Sequence, residues 1–242
     1  MSILHRLSSN ARPWALRLGA AAGATAIAAT LMTGGAVAGG AAPVKAPPPA
    51  YDPPARAHAL QTAVLAGGCF WGLQGVYEHV RGVKQVLAGY AGGAAATAHY
   101  EIVGTETTGH AETVKIVYDP ALISYGEILR IYFSVATDPT QLNEQFPDQG
   151  SSYRGDIFYT SPEQKAVASR YIAQLTAAHV YKRPIVTRLD PYTAFYKAEG
   201  YHQDYLVKHP DAGYIATYDM PKVVALKTLL PGDYRATPVT VG

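Results

Sequence analysis

Cysteine is nearly absent: Cys69 stands alone among 242 residues. A single thiol excludes an internal disulfide framework and any zinc cluster built on cysteines. A surplus of positive charge is missing too. The formal charge is +2, but Arg6, Arg12 and Arg17 fall in the first 38 residues, which contain no acid. Without them, 17 of the 20 basic residues face 18 acidic ones. A near-neutral remainder offers no basic face, so nucleic acid is not an expected partner. The glycine-rich turn Gly89-Tyr90-Ala91-Gly92-Gly93 lacks a Walker lysine and the dinucleotide-binding spacing, so it reads as backbone punctuation. No repeat with a period of 20–50 residues occurs.

What is present is ordinary globular composition, 48% hydrophobic and 16% charged, with 18 tyrosines. Residues 1–38 carry the three arginines, an uncharged stretch from Leu18 to Met32, and Ala36-Val37-Ala38 as a small-residue cleavage pattern. This reads as an export signal peptide. A retained anchor is the alternative, but the stretch is rich in Gly, Ala and Thr, and a spanning helix needs about 20 predominantly apolar residues. Cleavage is favoured, which places the mature chain outside the cytoplasm, in a bacterial periplasm, with no stable membrane association. The absence of an adjacent arginine pair argues for the Sec route. Residues 39–59 are Pro- and Ala-rich and read as a semi-rigid tether.

The folded domain is expected over 60–242. Thr62–Ala66 reads as a short buried strand. Phe70, Leu73, Val76, Tyr77 and Val80 then recur at helical spacing. Val83–Tyr90 is a second strand. In Thr113–Tyr118, alternation puts Val114, Ile116 and Tyr118 on one face. Ser124 with Glu127 forms a capping box that opens a helix. Thr137–Arg154 is a long loop of low periodicity, the kind that is usually functional. Gly155–Thr160 is a strand, and Ser161-Pro162-Glu163-Gln164 starts a helix that runs to about Ala178. Arg183–Leu189 reads as a strand, Phe195–Lys208 as a last helix, and the rest as an irregular tail. These elements predict an α+β two-layer sandwich: a mixed sheet with packed helices, a ferredoxin-like core and a long irregular C-terminal tail.

Cys69 sits in Gly67-Gly68-Cys69-Phe70-Trp71-Gly72, between the first strand and the first helix. At a helix start the dipole and free N–H groups favour the thiolate, so a reactive cysteine is expected. The bland reading is a buried, inert thiol. Three further features stand out: Gly109-His110-Ala111-Glu112, Gly150 to Gly155 with Asp148 before it, and Gly200 to Tyr205.

Together these motifs resemble the peptide-methionine (S)-S-oxide reductases, or methionine sulfoxide reductase A family. The likeness runs from about Thr62 to Pro231. It includes Gly68–Gly72, Gly89–Gly93, Thr108–Glu112, Tyr118–Pro120, Ile123–Tyr125, Asp138–Thr140 and Tyr153-Arg154. The resemblance implies that Cys69 attacks the sulfoxide sulfur and becomes a sulfenic acid. It implies that Glu112 protonates the oxygen and that Tyr100 and Tyr153 hydrogen-bond it. Phe70 and Trp71 match the aromatic box around the S-methyl group. Asp148, His202 and Tyr205 match residues that line or support the substrate site. His110 has no matched role and is left structural. No metal and no bound cofactor are implied, and a monomer is expected.

Chemistry agrees with that set. A sulfoxide oxygen leaves only when protonated, so an acid is needed beside the sulfur. A carboxylic acid serves at neutral pH if burial raises its pKa. The chain also departs from the family's pattern. Many members carry a resolving cysteine after a Gly-Tyr pair, where Ile215 follows Gly213-Tyr214 here. Thr137 stands where members have His, and Asn143 to Asp148 has Phe146 at a position commonly Gly. With one cysteine, the sulfenic acid must be cleared by an external thiol: a thioredoxin-like protein, a glutaredoxin or glutathione. Two other classes stay open from residues alone. One is a Cys–His hydrolase using His110 or His202; the other is a non-catalytic, exported peptide-binding module.

Overall fold

A computed structural model describes residues 42–54 and 59–242. The signal segment 1–38 and parts of the 39–59 segment lie outside the described residues. The order of elements begins β1 (Gln61–Ala66), α1 (Phe70–Glu78), β2 (Val83–Ala91), the single turn α2 (Tyr100–Val103) and β3 (Ala111–Tyr118). There follow α3 (Tyr125–Ile131), the two-residue strands β4 (Glu144–Gln145) and β5 (Asp148–Gln149), β6 (Asp156–Tyr159) and α4 (Pro162–Ala177). The chain ends with β7 (Arg188–Pro191), β8 (Phe195–Lys197), the short α5 (Tyr205–Lys208) and α6 (Met220–Leu229).

Six strands form one mixed sheet in the order β7-β6-β1-β3-β2-β8. Neighbours are antiparallel except β6 and β7, which run parallel. The α+β class follows: one face of the sheet is covered by helices. Ala63 and Leu65 of β1, Val114, Ile116 and Tyr118 of β3, and Leu73, Val76 and Tyr77 of α1 share that main core. In β2 a bulge between Val83 and Gln85 lets Val83 and Val86 face the same core despite their odd spacing. The opposite face carries a small cluster, Val64, Ala66, Ala91, Ala111 and Phe158, covered by Tyr192 and Phe195.

Local signals explain the helix starts. Ser124 Oγ accepts from Glu127 N–H at 3.1 Å, and Ser161 Oγ from Gln164 N–H at 3.1 Å. Gln164 also reaches β1, donating to the Thr62 carbonyl at 2.8 Å, which fastens α4 to the sheet.

Three expectations need correction. The Phe195–Lys208 stretch is not one helix: it is β8, a 3-10 turn Gly200–His202 and the single turn α5. Asp204 sits at φ +57, and the Gln203 carboxamide bonds Ala88 on both its N–H and C=O, so long-range partners replace the helical ladder. The tail is not mostly irregular. A π-helical stretch, Ile215–Asp219, leads into the ten-residue α6, and Ile215 and Leu226 are fully buried. Within the tail, residues 209–212 and those after Leu229 lack regular helix or strand, and the strand expected at Arg183–Leu189 is shifted to β7.

Residues 42–54 lack regular structure, yet they are strapped to the domain. Ala46 is fully buried and its N–H donates to Ser134 Oγ at 3.1 Å. Tyr171 donates to the Pro47 carbonyl at 2.7 Å, and Asp52 accepts from Gly126 N–H at 3.0 Å. Proline removes backbone donors and leaves carbonyls free; here side chains of α3 and α4 use those carbonyls.

Candidate active site

The site is built at the turn between β1 and α1. Gly68 adopts φ +98, and a Cβ there would stand 2.6 Å from Gln145 Cβ, so only glycine fits. The turn delivers Cys69 as the residue capping the start of α1, 8% exposed. Burial raises the pKa of the sulfur most, the carboxyls of Glu112 and Asp219 raise it further, and the nearby Trp71 backbone N–H opposes them. The sum holds the thiol well above its usual range. The thiolate expected from the helix end alone is therefore corrected: the resting group is the thiol. Desolvation in a closed pocket outweighs a helix terminus.

Strand alternation brings Glu112 to the same place. It lies two residues before Val114 and so on the helix-covered face of β3. Its Oε2 accepts the Phe70 N–H, the first of α1, at 2.9 Å. Burial pushes its pKa up to about 8, the Phe70 N–H opposes this, and Asp148, Asp219 and Glu106 add to the rise. At neutral pH Glu112 is a carboxylic acid.

Tyr100 opens α2, and its N–H donates to Glu199 Oε1 at 3.0 Å. The other Glu199 oxygen accepts Tyr90 O–H at 2.9 Å. Tyr153 closes a 3-10 turn, Ser151–Tyr153. That turn is held by Glu106, which accepts from Ser151 Oγ, Ser152 N–H and Ser152 Oγ at 3.0, 2.8 and 2.5 Å. Arg154 completes the anchor, donating to the carbonyls of Gly109, His110 and Ser151 and pairing with Asp156 at 3.1 Å. Burial, then the charges of Glu112 and Cys69 among others, raise the pKa of both tyrosines, so both remain hydroxyl donors.

Trp71 is fixed on three sides. Its indole N–H donates to His202 Nδ1 at 3.1 Å, Tyr205 stacks on it at 4.0 Å and 15°, and Tyr214 meets it edge-on at 6.0 Å. Phe70 is 1% exposed, packed between Tyr90 at 5.8 Å and His202 at 4.9 Å. The structure thus brings Cys69, Phe70, Trp71, Tyr100, Glu112, Asp148, Tyr153, His202 and Tyr205 around one end of α1. His202 and Tyr205 hold Trp71 from behind. Asp148 is half-buried and accepts the Tyr214 hydroxyl.

The histidines are engaged elsewhere. His110 accepts from Gly93 N–H at Nδ1, 3.2 Å, and bonds the Ala94 carbonyl through Nε2 at 3.0 Å, pinning the glycine turn to β3. His202 has its Nδ1 taken by Trp71, and burial lowers its pKa. Neither ring is placed as the base of a Cys–His hydrolase. Among the described residues no group of three or more His, Cys, Asp or Glu is arranged to hold a metal.

Residues 61–229 match the family model described as peptide methionine sulfoxide reductase. A methionine sulfoxide reductase MsrA 2 of Mesorhizobium japonicum is 52% identical over 181 residues, covering 75% of this chain and 93% of that one. This chain belongs to the peptide methionine sulfoxide reductase family. An MsrA of Thermus thermophilus is 45% identical over 174 residues, covering 70% of this chain and 97% of that one. Among solved structures, the reduced form of Mxr1 from Saccharomyces cerevisiae superposes with a TM-score of 0.59 at 29% identity, covering 65% of this chain and 90% of that one. Methionine sulfoxide reductase A of Corynebacterium diphtheriae gives 0.54 at 30% identity, covering 65% and 78%. The protein is an enzyme of the A class that reduces methionine sulfoxide, which removes the hydrolase and binding-module alternatives.

The matched region of the reductase ends at Leu229, the last residue of α6, and so includes side chains that sequence reasoning passed over. Tyr214 touches both Trp71 and Asp148. Asp219 is fully buried, pairs with Lys222 at 3.0 Å and abuts Gly72, where a Cβ would stand 2.1 Å from its carboxylate. Gly72 was visible in the sequence as a glycine inside a helix, a position that often marks close packing. The reductase also depends on Glu106 and Glu199 to hold the two tyrosine-bearing turns; no local pattern announces either.

Proposed function

We propose that the reductase removes oxygen from the S epimer of methionine sulfoxide through a Cys69 sulfenic acid, with Glu112 as the acid. The observation that carries this is the Glu112 carboxyl, buried on the Phe70 N–H beside Cys69 and raised to about 8. A carboxyl that keeps its proton at pH 7 can give it to the sulfoxide oxygen. The Cys69 sulfur attacks the substrate sulfur, the S–O bond breaks, and the hydroxyl ends on Cys69. Cys69–SH plus sulfoxide gives Cys69–SOH plus thioether, so no outside reductant enters this step. Tyr100 and Tyr153 donate to the oxygen as it gains charge, and Trp71 with Phe70 faces the methyl group, a favourable aromatic–sulfur setting.

Two external thiols then convert Cys69–SOH to Cys69–SH, releasing water and a disulfide. A thioredoxin-like protein, a glutaredoxin or glutathione can supply them. Burial of Ile215 in the main core supports an external route, since that point of the tail holds an apolar packing residue. The β1-α1-β2-β3-α3-β6 succession, with central strand order β6-β1-β3-β2, supports reading the core as ferredoxin-like. The signal-like residues 1–38 support export to the periplasm and repair of oxidised client proteins there by a monomer.

The test is a single turnover without reductant. One equivalent of methionine should form from the S epimer only, and a 1,3-diketone probe should label Cys69 as its sulfenic acid adduct. Consumption of the R epimer, or methionine release with Cys69 unmodified, overturns the proposal.

A further inference from the structure

The pocket wall continues outward as a series of aromatic rings that the chemistry at sulfur does not require. Trp71 meets Tyr214, Tyr214 meets Tyr218 at 5.1 Å, and Tyr218 meets Phe146 edge-on at 5.9 Å. Phe146 is 45% exposed and Leu142, on the same loop, is 64% exposed. Neither is exposed for want of local order. The Phe146 N–H donates to Gln141 Oε1 at 2.8 Å, and Gln145 is bonded to Asp138 on both its amide nitrogen and oxygen. The loop is tied down and the ring is held at the surface, beside the half-buried Asp148.

We infer that Phe146 and Tyr218 extend the substrate site and receive an apolar or aromatic side chain near methionine sulfoxide in an oxidised polypeptide. This rests on the sulfoxide binding at Cys69 and Trp71 as described above. Three arguments select a polypeptide as occupant. The ring series is continuous with Trp71, the wall of the sulfoxide pocket. Each ring-to-ring step is between 5 and 6 Å, whereas an extended chain advances about 3.4 Å per residue. Phe146 is thus within reach of residues up to about five positions from the sulfoxide, and beyond the reach of free methionine sulfoxide. The inner part of the path also carries the half-buried Asp148 carboxyl, which accepts the Tyr214 hydroxyl, so acidic neighbours are disfavoured and apolar ones are not.

The experiment compares kcat/KM for N-acetyl methionine S-sulfoxide and for peptides that place Phe, Ala or Asp two to four residues from the sulfoxide. The expected preference for Phe over Asp is about fivefold to tenfold, the scale of one aromatic contact plus a repelled charge. In Phe146→Ser and in Tyr218→Ser it should fall to about twofold, with the N-acetyl substrate unchanged. The two positions lie on different segments, so if Phe146→Ser also loses the N-acetyl activity, Tyr218→Ser decides. A preference absent in the natural enzyme or kept in the variants overturns the inference. So does a rise in KM for a thioredoxin-like reductant with the peptide preference intact, which would assign the rings to the reductant. Failure of the N-acetyl substrate in the natural enzyme would instead overturn the reading of the Cys69 site.

Discussion

Tyr214 donates its hydroxyl to the Asp148 carboxylate, joining the helical C-terminal segment to the loop that leads to Tyr153. Burial holds the Asp148 pKa above the usual carboxylate range, and this hydrogen bond offsets part of that rise by favouring the ionised form. The same tyrosine closes one edge of Trp71. A hydrogen bond to a charged group contributes about 1.5–3 kcal/mol, which sets the scale of what its removal releases. Tyr214→Phe keeps the ring and removes the bond. We expect kcat/KM to fall about tenfold, mainly through KM. A fall confined to kcat, with KM unchanged, would place Tyr214 in the chemical step instead.

Glu112 sets the pH behaviour of the first half-reaction. Its pKa in the folded enzyme is about 8, so it is protonated and competent below that value and loses its proton above it. The single-turnover rate should therefore fall as pH rises through about 8. Glu112→Gln retains an acceptor oxygen for the Phe70 N–H but has no acidic proton. It should lower the rate by about 100-fold or more, the usual range for a lost general acid, and abolish the alkaline limb. A Glu112→Gln enzyme that keeps both rate and limb would remove Glu112 from the mechanism.

Several of these features are legible in the residues and others are not, for a physical reason. Cys69 after two glycines, the Ser124 and Ser161 caps, and the alternation of Val114, Ile116 and Tyr118 are short-range patterns that the chain satisfies within a few residues. Extending that alternation backward by one step places Glu112 on the buried face, a signal present in the sequence. Tyr214, Asp219 and the 42–54 strap carry no such signal. Each acquires its partner from more than 60 residues away: Asp148 for Tyr214, Gly72 for Asp219, Tyr171 for Pro47. The error over Phe195–Lys208 has the same origin, since Gln203 bonds β2 in place of its own turn. For Cys69, the helix end was visible but the opposing burial and carboxyls were not.

Glu106 tests whether the turn bearing Tyr153 is held from outside the pocket. Its carboxylate accepts three hydrogen bonds from Ser151 and Ser152, and Ser152 is buried. Glu106→Ala strands those donors at a cost of about 1–3 kcal/mol. The expected outcome is a lower melting temperature together with at least a tenfold loss of kcat, because Tyr153 loses its fixed position. Glu106→Gln, which still offers one acceptor oxygen, should recover part of both. Loss of stability without loss of kcat would show that Tyr153 holds its place unaided.

Glu78 lies at the other end of α1, fully buried, with its pKa raised to about 9 by burial first and by Asp204 second. The sign follows from proton counts. Between about pH 4.5 and 9 the unfolded chain has released this proton while the folded chain keeps it, so the folded state binds more protons and loses stability as pH rises. Near or below pH 4.5 the penalty vanishes. Glu78→Gln supplies an uncharged side chain of the same shape and so removes the penalty. Chemical denaturation at pH 5 and pH 8 should find the variant close to the natural enzyme at pH 5 and more stable by roughly 1–3 kcal/mol at pH 8. Equal stability at both values would mean that Glu78 is ionised in the folded protein, with Lys208 sharing its charge between Glu78 and Asp204.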